Sequence, residues 1–560
     1  MKREGLWLAF ILVVGAWIRW RGLDWGLPFA LHIDERLFVV GKALQLEKSL
    51  AGDGPPDPGI SSYGILPLWL VVLARRLFLG MATTDGPPIH GDAFAATVRL
   101  ARILSATFGV ATIALTFTWA RRFGGAVPWI AAALVAGFPA LVQASHFGTV
   151  ESALTALLVL GLVAAERLAE RPSPARAAIG GLVFGLALSV KAPAILLGLP
   201  LLHAAGRRAD KEPSFAPYLR LLIGSLVTVA IVLALNPMLL SGADAGARTG
   251  EHTTLAGNLR RAYSGDFHDW TLPYAKDVPG WTELTRVLPY AIGVLPEIAA
   301  IVGVVLLLRR RRPADVRLLL LLIPFVLLLL PARVKTVRFL VPALPALAVA
   351  AAVALAALAS RRAALGRAVT TGVVALAVLH GIAFSSIYTQ PDPRVAAARW
   401  LDEHVAPREL VLLEDPAGYG PPVGSPSPEL ERPMLRVEFL WHGFYTQYET
   451  LDAAGRRAHL ERLLKRADWL TLSEGHRREF TTSPELRPVE SEFYRDLDAG
   501  RLPFERVAVF ETYPRLGPIV LKDDGAEALM RGFDHPRVEI WKRSRAAGDL
   551  GDADLSEFGP

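Results

Sequence analysis

The chain has 560 residues, of which 52% are hydrophobic, and its formal net charge is +7. The absence of cysteine excludes disulfides, thiolate nucleophiles and cysteine-ligated metals. The apolar residues form long runs and the basic residues cluster in the short loops between them. This pattern predicts a polytopic membrane protein that follows the positive-inside rule, and not a nucleic-acid-binding protein.

The apolar runs predict about eleven membrane spans. Lys2 and Arg3 precede the first span, which favours a cytoplasmic N-terminus, and no small-residue cleavage site follows it, so we expect it to remain as an anchor. The predicted spans are 6–22, 99–120, 127–145, 150–168, 176–190, 192–206, 217–236, 286–308, 316–331, 338–358 and 366–386. An odd number of spans places the C-terminal region outside the cytoplasm.

The spans leave two long outer loops, 24–98 and 237–285. Within the first, segment 65–79 is apolar but short for a full crossing, and it carries Arg75 and Arg76. We therefore expect this segment to lie at the membrane surface or to be partly inserted.

The first outer loop contains an acidic pair, Asp34 and Glu35, just beyond the first span. Residues 34–50 have the pattern of an amphipathic helix that lies on a bilayer, with Leu44 on the apolar face and Glu47 on the polar face. Asp34 could cap this helix, or the pair could act chemically at the membrane surface.

A second outer loop, 145–151, is very short and contains His146 and Glu151. Glu151 begins a predicted helix, where the helix dipole favours an acidic residue, so capping is one interpretation. The other is function, because ionisable residues at a membrane boundary that face the bundle interior are candidate site residues.

Basic residues also occur on the predicted outer face. Lys191 lies at the apex between two half-length apolar runs, and Arg333, Lys335 and Arg338 form the one strongly basic short loop that breaks the positive-inside rule. A phosphate group at the membrane surface is the partner we expect for them. For Lys191 the alternative is snorkelling to the interface.

Four segments together resemble the GT-C class of membrane glycosyltransferases, specifically family 39, over roughly the first 390 residues. This family holds protein O-mannosyltransferases and the aminoarabinose transferases that act on lipid A. The segments are His32 to Arg36, Ser145 to Glu151, Gly185 to Pro193 and Arg338 to Pro345. The closing segment Phe533 to Trp541 also resembles the tail of bacterial members.

The resemblance implies a polyprenyl-phosphate-linked sugar as donor, an extracytoplasmic hydroxyl of a protein, lipid or glycan as acceptor, and inversion at the anomeric carbon. It also implies the inner membrane of a bacterium. A carboxylate beside the anomeric centre can act as general base, for which we choose Asp34, with Glu35 as the second catalytic candidate. The predicted substrate-binding residues are Arg36, Tyr63, His146, Glu151, Lys191, Arg333, Lys335 and Arg338.

No nucleotide-binding motif is present, and we expect no cofactor and no nucleic-acid partner. A divalent metal at Asp34, Glu151 and His146 is not favoured, since the chain has no tight ligand spacing. Two other functions remain open: a transporter or flippase of a phosphorylated lipid, and a noncatalytic scaffold.

We therefore expect a helical membrane domain over 1–387, a small extracytoplasmic α/β domain over 388–545, and a flexible acidic tail over 546–560. In the α/β domain, strands are predicted at 405–413, 469–472 and 504–510, and a helix at 451–466.

Overall fold

The computed structural model describes residues 2–50, 52, 58, 63–80, 91–207, 212–239, 255–265, 267, 269–414, 420–423, 436–440 and 450–544. Parts of the predicted outer loops 24–98 and 237–285, and the predicted tail 546–560, lie outside these residues.

The membrane domain is helical, which confirms the predicted fold class, and each predicted span coincides with a helix or with consecutive helices. Its first helices are α1 Lys2–Trp20, a π-helix Asp34–Val40 that continues as α2 Gly41–Ser49, α3 Leu66–Leu79, α4 Asp92–Ala120, α5 Val127–Gly137, α6 Pro139–His146, α7 Glu151–Glu170, α8 Pro174–Leu188 and α9 Gly198–Ala205. The later helices are α10 Ala216–Leu235, α11 Leu255–Ser264, α12 Leu288–Ala291, α13 Val294–Arg310, α14 Pro313–Leu329, α15 Val337–Leu340, α16 Leu344–Arg361 and α17 Ala363–Ser385.

Among the described residues, five helices are long and apolar enough to cross a membrane, or up to seven if each of two bent helix pairs counts as one span. The bends are 55° between α5 and α6 and 112° between Glu283–Ala291 and α13. The predicted span 286–308 is therefore not one straight helix. The chain turns at Gly293, whose φ is +90°, and α13 begins just after it.

One end of the bundle collects basic loops. Arg122 after α4 pairs with Glu170 at the end of α7, and the Arg310 guanidinium lies 5.8 Å from the centre of the Phe123 ring. Glu151 opens α7 at its opposite end, and Arg102 lies in the first half of α4. Because α7 has 20 residues, the two ends are about 30 Å apart. The short basic loops thus lie at one end of the bundle and Glu151 lies at the other, which agrees with the positive-inside pattern.

The surface helix α2 is more deeply packed than its sequence pattern suggests. Glu47, which we expected on the polar face, is buried and accepts hydrogen bonds from Arg75 Nε at 2.8 Å and Arg76 Nε at 3.1 Å. The expected outward position of Glu47 is therefore wrong. The two arginines belong to α3, so α2 packs against α3 through a buried ion pair.

The C-terminal region is a small α/β domain. Its strands are β1 Leu410–Leu413, β2 Arg436–Phe439, β3 Trp469–Ser473, β4 Phe504–Phe510, β5 Arg515–Leu516, β6 Ile519–Val520 and β7 Val538–Arg543. Its helices are α18 Pro393–His404, α19 Ala453–Arg466, α20 Glu474–Thr481, α21 Pro488–Asp498 and α22 Ala528–Gly532. The main sheet has the order β2-β1-β3-β7-β4, in which β1 runs parallel to β2 and β3, while β7 runs antiparallel to β3 and β4.

The two faces of this sheet bury separate apolar clusters. Leu412 and Phe493 lie in the cluster that includes side chains of α19, α20 and α21, whereas Val411 and Leu401 lie in the cluster beneath α18. Such alternation of side chains is what strands covered on both faces produce. The predicted strand 504–510 is confirmed, and the strand predicted at 405–413 begins only at Leu410.

Candidate active site

Four charged side chains meet at the end of the bundle opposite the basic loops. Arg338 pairs with Asp34, and its Nη2 donates to Oε1 of Glu151 at 2.9 Å. Lys191 Nζ donates to the same Glu151 oxygen at 3.2 Å. We call Asp34, Glu151, Lys191 and Arg338 the charge cluster. Its two carboxylates and two cations balance formally, and its side chains are only 3% to 17% exposed.

Each member of the charge cluster lies where a helix begins or ends. Asp34 opens the π-helix, Glu151 opens α7, Lys191 follows α8, and Arg338 is the second residue of α15. The sequence brings them together from four separate segments because these helix ends reach the same level of the bundle. Charged residues that face the bundle interior at this depth are candidate functional groups.

Tyr63 completes one side of the charge cluster. The Lys191 ammonium lies 5.1 Å from the centre of the Tyr63 ring, and Tyr63 is hydrogen-bonded with Arg338. Burial raises the pKa of Tyr63, so its hydroxyl stays protonated. The next residue, Gly64, passes so close to Ser189 that an added Cβ would lie 2.2 Å from the Ser189 carbonyl oxygen. Only glycine permits this approach.

Glu35, the second predicted catalytic residue, occupies a supporting position. Its carboxylate is fully buried, accepts hydrogen bonds from Arg102 Nε and Nη2 at 2.8 Å and 2.7 Å, and also accepts the Gly148 backbone N–H at 2.7 Å. Arg102 Nη1 donates to the Leu23 and Trp25 carbonyls at 2.8 Å and 2.6 Å. Glu35 and Arg102 thus join the two outer loops that carry Asp34 and Glu151.

His146 also lies outside the charge cluster. Its Nδ1 lies 2.8 Å from the Val142 carbonyl oxygen and its Nε2 lies 3.1 Å from that of Arg21. The imidazole stacks on the Tyr388 ring with centroids 3.7 Å apart, and it is buried. The structure therefore packs His146 between α6 and the chain after α17, apart from the charge cluster.

The outer basic loop does not present three cations to one partner. Lys335 is buried and donates to Glu283 Oε1 at 2.7 Å and to the Leu330 carbonyl at 2.8 Å. Arg333 is exposed, and of this loop only Arg338 enters the charge cluster. Of the predicted phosphate-binding residues Arg333, Lys335 and Arg338, only Arg338 lies in the charge cluster, and Glu283 compensates the charge of Lys335.

Two further predictions concern Arg36 and a metal. Arg36 is half-buried in the π-helix beside Asp34. Within the part of the chain that the structure describes, no group of three or more His, Asp or Glu side chains could hold a metal ion. Asp34 and Glu151 face Arg338 and Lys191 instead, and His146 lies apart from both carboxylates.

The C-terminal domain contributes an aromatic ring that sequence reasoning did not assign to the site. The Phe533 ring stacks on His32 with centroids 4.2 Å apart, and the Arg338 guanidinium carbon lies 5.4 Å from the centre of the Phe533 ring. His32 also contacts the Phe147 ring at 4.4 Å. Burial lowers the pKa of His32 to about 4, so the imidazole is neutral and acts here as a stacking surface.

Arg102 was also missed, although a signal was available. It lies inside the predicted span 99–120, where a lone charge is a candidate for a specific partner. Glu35 was the partner to look for, since a buried arginine needs a carboxylate or several carbonyls.

Residues 93–234 match the family model described as dolichyl-phosphate-mannose-protein mannosyltransferase. The matched segment contains Arg102, Glu151 and Lys191. This match over residues 93–234 confirms the predicted resemblance to membrane glycosyltransferases. No curated protein matches the chain in sequence.

Several solved structures are similar to the chain. ArnT from Cupriavidus metallidurans, bound to undecaprenyl phosphate, is 14% identical, with 95% of this chain and 98% of that chain covered and a TM-score of 0.46. An Archaeoglobus fulgidus oligosaccharyltransferase tethered with an acceptor peptide is 14% identical, with coverages of 87% and 72% and a TM-score of 0.49. The S. cerevisiae Pmt1-Pmt2 complex bound to the sugar donor is 20% identical, with coverages of 43% and 34% and a TM-score of 0.35. No residue role follows from similarities this distant.

Proposed function

We propose that this chain transfers a sugar, with inversion, from a polyprenyl-phosphate-linked donor to an acceptor hydroxyl on the extracytoplasmic face of a bacterial inner membrane. The charge cluster is the observation that carries the proposal, because it sets a carboxylate beside two cations at a membrane-level site. The description of the matched family names a sugar linked to a lipid phosphate, which supports this class of donor.

The two cations suit the leaving group. A lipid-linked sugar phosphate is a diester with one negative charge, and its departing lipid phosphate gains a further charge as the glycosidic bond breaks. Arg338 and Lys191 both donate to Glu151 Oε1, and they can stabilise that developing charge by charge-assisted hydrogen bonds. Tyr63, hydrogen-bonded with Arg338, offers a neutral hydroxyl donor at the same place.

Asp34 suits the general base. The acceptor oxygen forms a bond to the anomeric carbon as its proton passes to the Asp34 carboxylate. The bond between the anomeric carbon and the phosphate oxygen breaks, and its electron pair stays on the phosphate. Attack on the face opposite the phosphate inverts the anomeric centre.

The pairing of Asp34 with Arg338 explains how donor binding could prepare the base. In this structure Arg338 bridges the carboxylates of Asp34 and Glu151. A donor phosphate competes for the Arg338 guanidinium, and Asp34 is then released towards the acceptor hydroxyl. Glu151 remains paired with Lys191 and keeps the two cations in place.

The two ends of the bundle support the proposed orientation in the membrane. The charge cluster and the C-terminal domain lie at one end, as the contact between Phe533 and Arg338 requires, and the basic loops lie at the other. The positive-inside rule then supports a cytoplasmic N-terminus and a site on the extracytoplasmic side.

The proposal is tested with membranes that contain the full chain and a labelled polyprenyl-phosphate sugar. Wild-type membranes should transfer label to an acceptor, whereas Asp34→Asn should lower transfer by about 10²–10⁴-fold at equal protein level. Asp24→Asn is the matched control, because Asp24 is 56% exposed in the same loop and pairs with Arg99. Its activity should stay near that of wild type.

Two results would contradict the proposal. One is movement of intact donor across the membrane with no cleavage of its phosphate bond, which is the behaviour of a flippase. The other is near-normal transfer by folded Asp34→Asn protein.

A further inference from the structure

The proposed reaction leaves one sequence feature without a role, the closing motif that begins at Phe533. The first residues of this motif, Phe533 to His535, belong to a stretch, residues 523–535, which we call the docking segment. It surrounds α22 and contacts the membrane domain at three places.

The first contact is made by Phe533. Its ring is 8% exposed and lies against both His32 and the guanidinium of Arg338. Attraction between a guanidinium and an aromatic face holds the cation without using its hydrogen-bond donors. Arg338 can therefore be restrained by Phe533 and still donate to an anion.

The second contact is made by Glu527, which caps α22 through the Leu529 backbone N–H at 2.8 Å. Oε1 of the same carboxylate accepts the Val337 backbone N–H at 3.0 Å and the Thr336 hydroxyl at 3.2 Å. Val337 opens α15 and directly precedes Arg338. The C-terminal domain thus fixes the backbone of Arg338 as well as its side chain.

The third contact is made by Asp534 and keeps the docking segment in place. Its Oδ2 accepts hydrogen bonds from Gln143 Nε2 at 2.9 Å and from the Tyr388 hydroxyl at 2.8 Å. His535 pairs with Asp534 through Nδ1 and with Asp523 through Nε2, the latter at 2.8 Å. The hydrogen bonds from Gln143 and Tyr388 would be lost if the segment moved away from the bundle, whereas the His535 pairs hold the segment itself together.

We propose that the C-terminal domain completes the donor-phosphate site, with Phe533 as the positioning residue that orients Arg338. This inference rests on the proposed function. A free arginine side chain loses rotamer freedom when it binds a phosphate, and that loss weakens binding. Phe533 already restrains the guanidinium, and Glu527 holds the backbone that directly precedes Arg338. Part of this loss therefore occurs before the donor binds, so the docked domain strengthens donor binding without touching the reacting atoms.

The test measures the affinity of the purified full chain in nanodiscs for undecaprenyl phosphate as the probe. Phe533→Leu keeps an apolar side chain but removes the aromatic face, so it should weaken binding by about 3- to 30-fold. Phe533→Tyr keeps the ring and should stay within about 3-fold of wild type. The control is Phe493→Leu, which removes a buried ring from the core of the same domain.

Thermal unfolding of each variant separates positioning from general destabilisation. Phe493→Leu should lower the unfolding midpoint and leave probe affinity unchanged. In an Arg338→Ala background, Phe533→Leu should cause no further loss of affinity, because its effect acts through Arg338. A purely structural role predicts additive losses in the two backgrounds.

The outcomes distinguish this inference from the proposed function. If Arg338→Ala binds the probe as tightly as wild type, the proposed donor site itself is wrong. If Arg338→Ala binds weakly but folded Phe533→Leu binds normally, only the role of Phe533 is overturned. Equal loss of affinity in Phe493→Leu and Phe533→Leu would overturn it as well.

Discussion

Asp34 and Glu35 are neighbours in the chain, but they have different surroundings. Asp34 lies in the charge cluster with its side chain 13% exposed, whereas Glu35 is fully buried against Arg102 and the Gly148 N–H. Successive residues of a helix point in different directions, and here the two carboxylates reach different partners. Here one carboxylate faces the proposed substrate and the other holds the loop that presents it.

The outer basic loop shows the same division of roles. Arg338 reaches the charge cluster, and Lys335, three residues earlier, is buried on Glu283. Charge at the membrane surface is therefore a weak guide to a side chain's role. The partner that the charged end of a side chain binds shows whether that group is available to a ligand or supports the fold.

The largest effect on stability is expected for Glu35→Gln, and it would test the different roles of Asp34 and Glu35. Removal of one partner from a buried ion pair leaves Arg102 uncompensated, which costs about 3–5 kcal/mol of unfolding free energy. Asp34→Asn, at a more accessible position, should lower stability by less than about 1 kcal/mol. Unfolding of both variants in detergent measures the difference. A stable Glu35→Gln protein that transfers no sugar would instead make Glu35 a catalytic residue.

Substitution of the two cluster cations should give the next largest effect. Arg338→Ala and Lys191→Ala should each weaken use of the donor by about 10- to 150-fold, the range for a lost charge-assisted hydrogen bond. The double variant should lose less than the product, because both cations act on one phosphate. Kinetics at varied donor concentration in nanodiscs measure this effect. Unchanged donor dependence in both single variants would mean that these cations contact lipid headgroups and not the donor.

Lys335 should affect stability and not donor use. Lys335→Met leaves Glu283 without its buried partner and should cost about 1–3 kcal/mol of unfolding free energy. Donor affinity should stay within about 3-fold of wild type. The exposed Arg333→Ala is the matched control, and neither quantity should change in it. A strong loss of donor affinity in Lys335→Met, with stability intact, would restore the predicted three-cation site.

The smallest effect concerns pH and the docking segment. Burial lowers the pKa of His535, but its ion pairs with Asp534 and Asp523 raise the pKa by a larger amount. The net pKa is about 9. Asp523 also pairs with Arg531, and Asp534 accepts the Tyr388 hydroxyl. The stabilisation from protonated His535 is therefore complete below about pH 6.5 and is lost as the pH rises through about 9.

The unfolding midpoint of the wild type should accordingly fall by roughly 2–8 °C between pH 6 and pH 9.5. His535→Gln should show a smaller fall over the same interval. His404→Gln, which alters an exposed histidine of the same domain, should show the wild-type fall. Identical pH dependence in His535→Gln and wild type would contradict the assignment.

Sequence periodicity predicted the elements well and their partners poorly. The predicted span 217–236 and the observed α10 Ala216–Leu235 agree closely, because lipid selects long apolar runs. The bend before α13 and the partner of Glu47 were not predicted. Both depend on contacts between helices, which leave no periodic signal in either helix alone.

The candidate site was predictable in part for the same reason. The members of the charge cluster are charged residues in or beside apolar segments, where charge is unexpected. The predicted number of spans before each of them put all four on the same side of the membrane. Which charges would pair with one another could not be read from composition. The position of Phe533 beside Arg338 could not be predicted. Its segment is distant in sequence, and an aromatic residue in a small α/β domain is ordinarily part of the core.

The measurement that tests the central claim most directly is single-turnover sugar transfer at varied donor concentration by Asp34→Asn and Arg338→Ala. We expect Asp34→Asn to bind the donor within about 3-fold of wild type and to transfer about 10²–10⁴-fold more slowly. Arg338→Ala should require about 10- to 150-fold more donor for half-maximal transfer. If both variants changed donor binding alone, with the rate of transfer intact, the division between base and phosphate ligand would be contradicted.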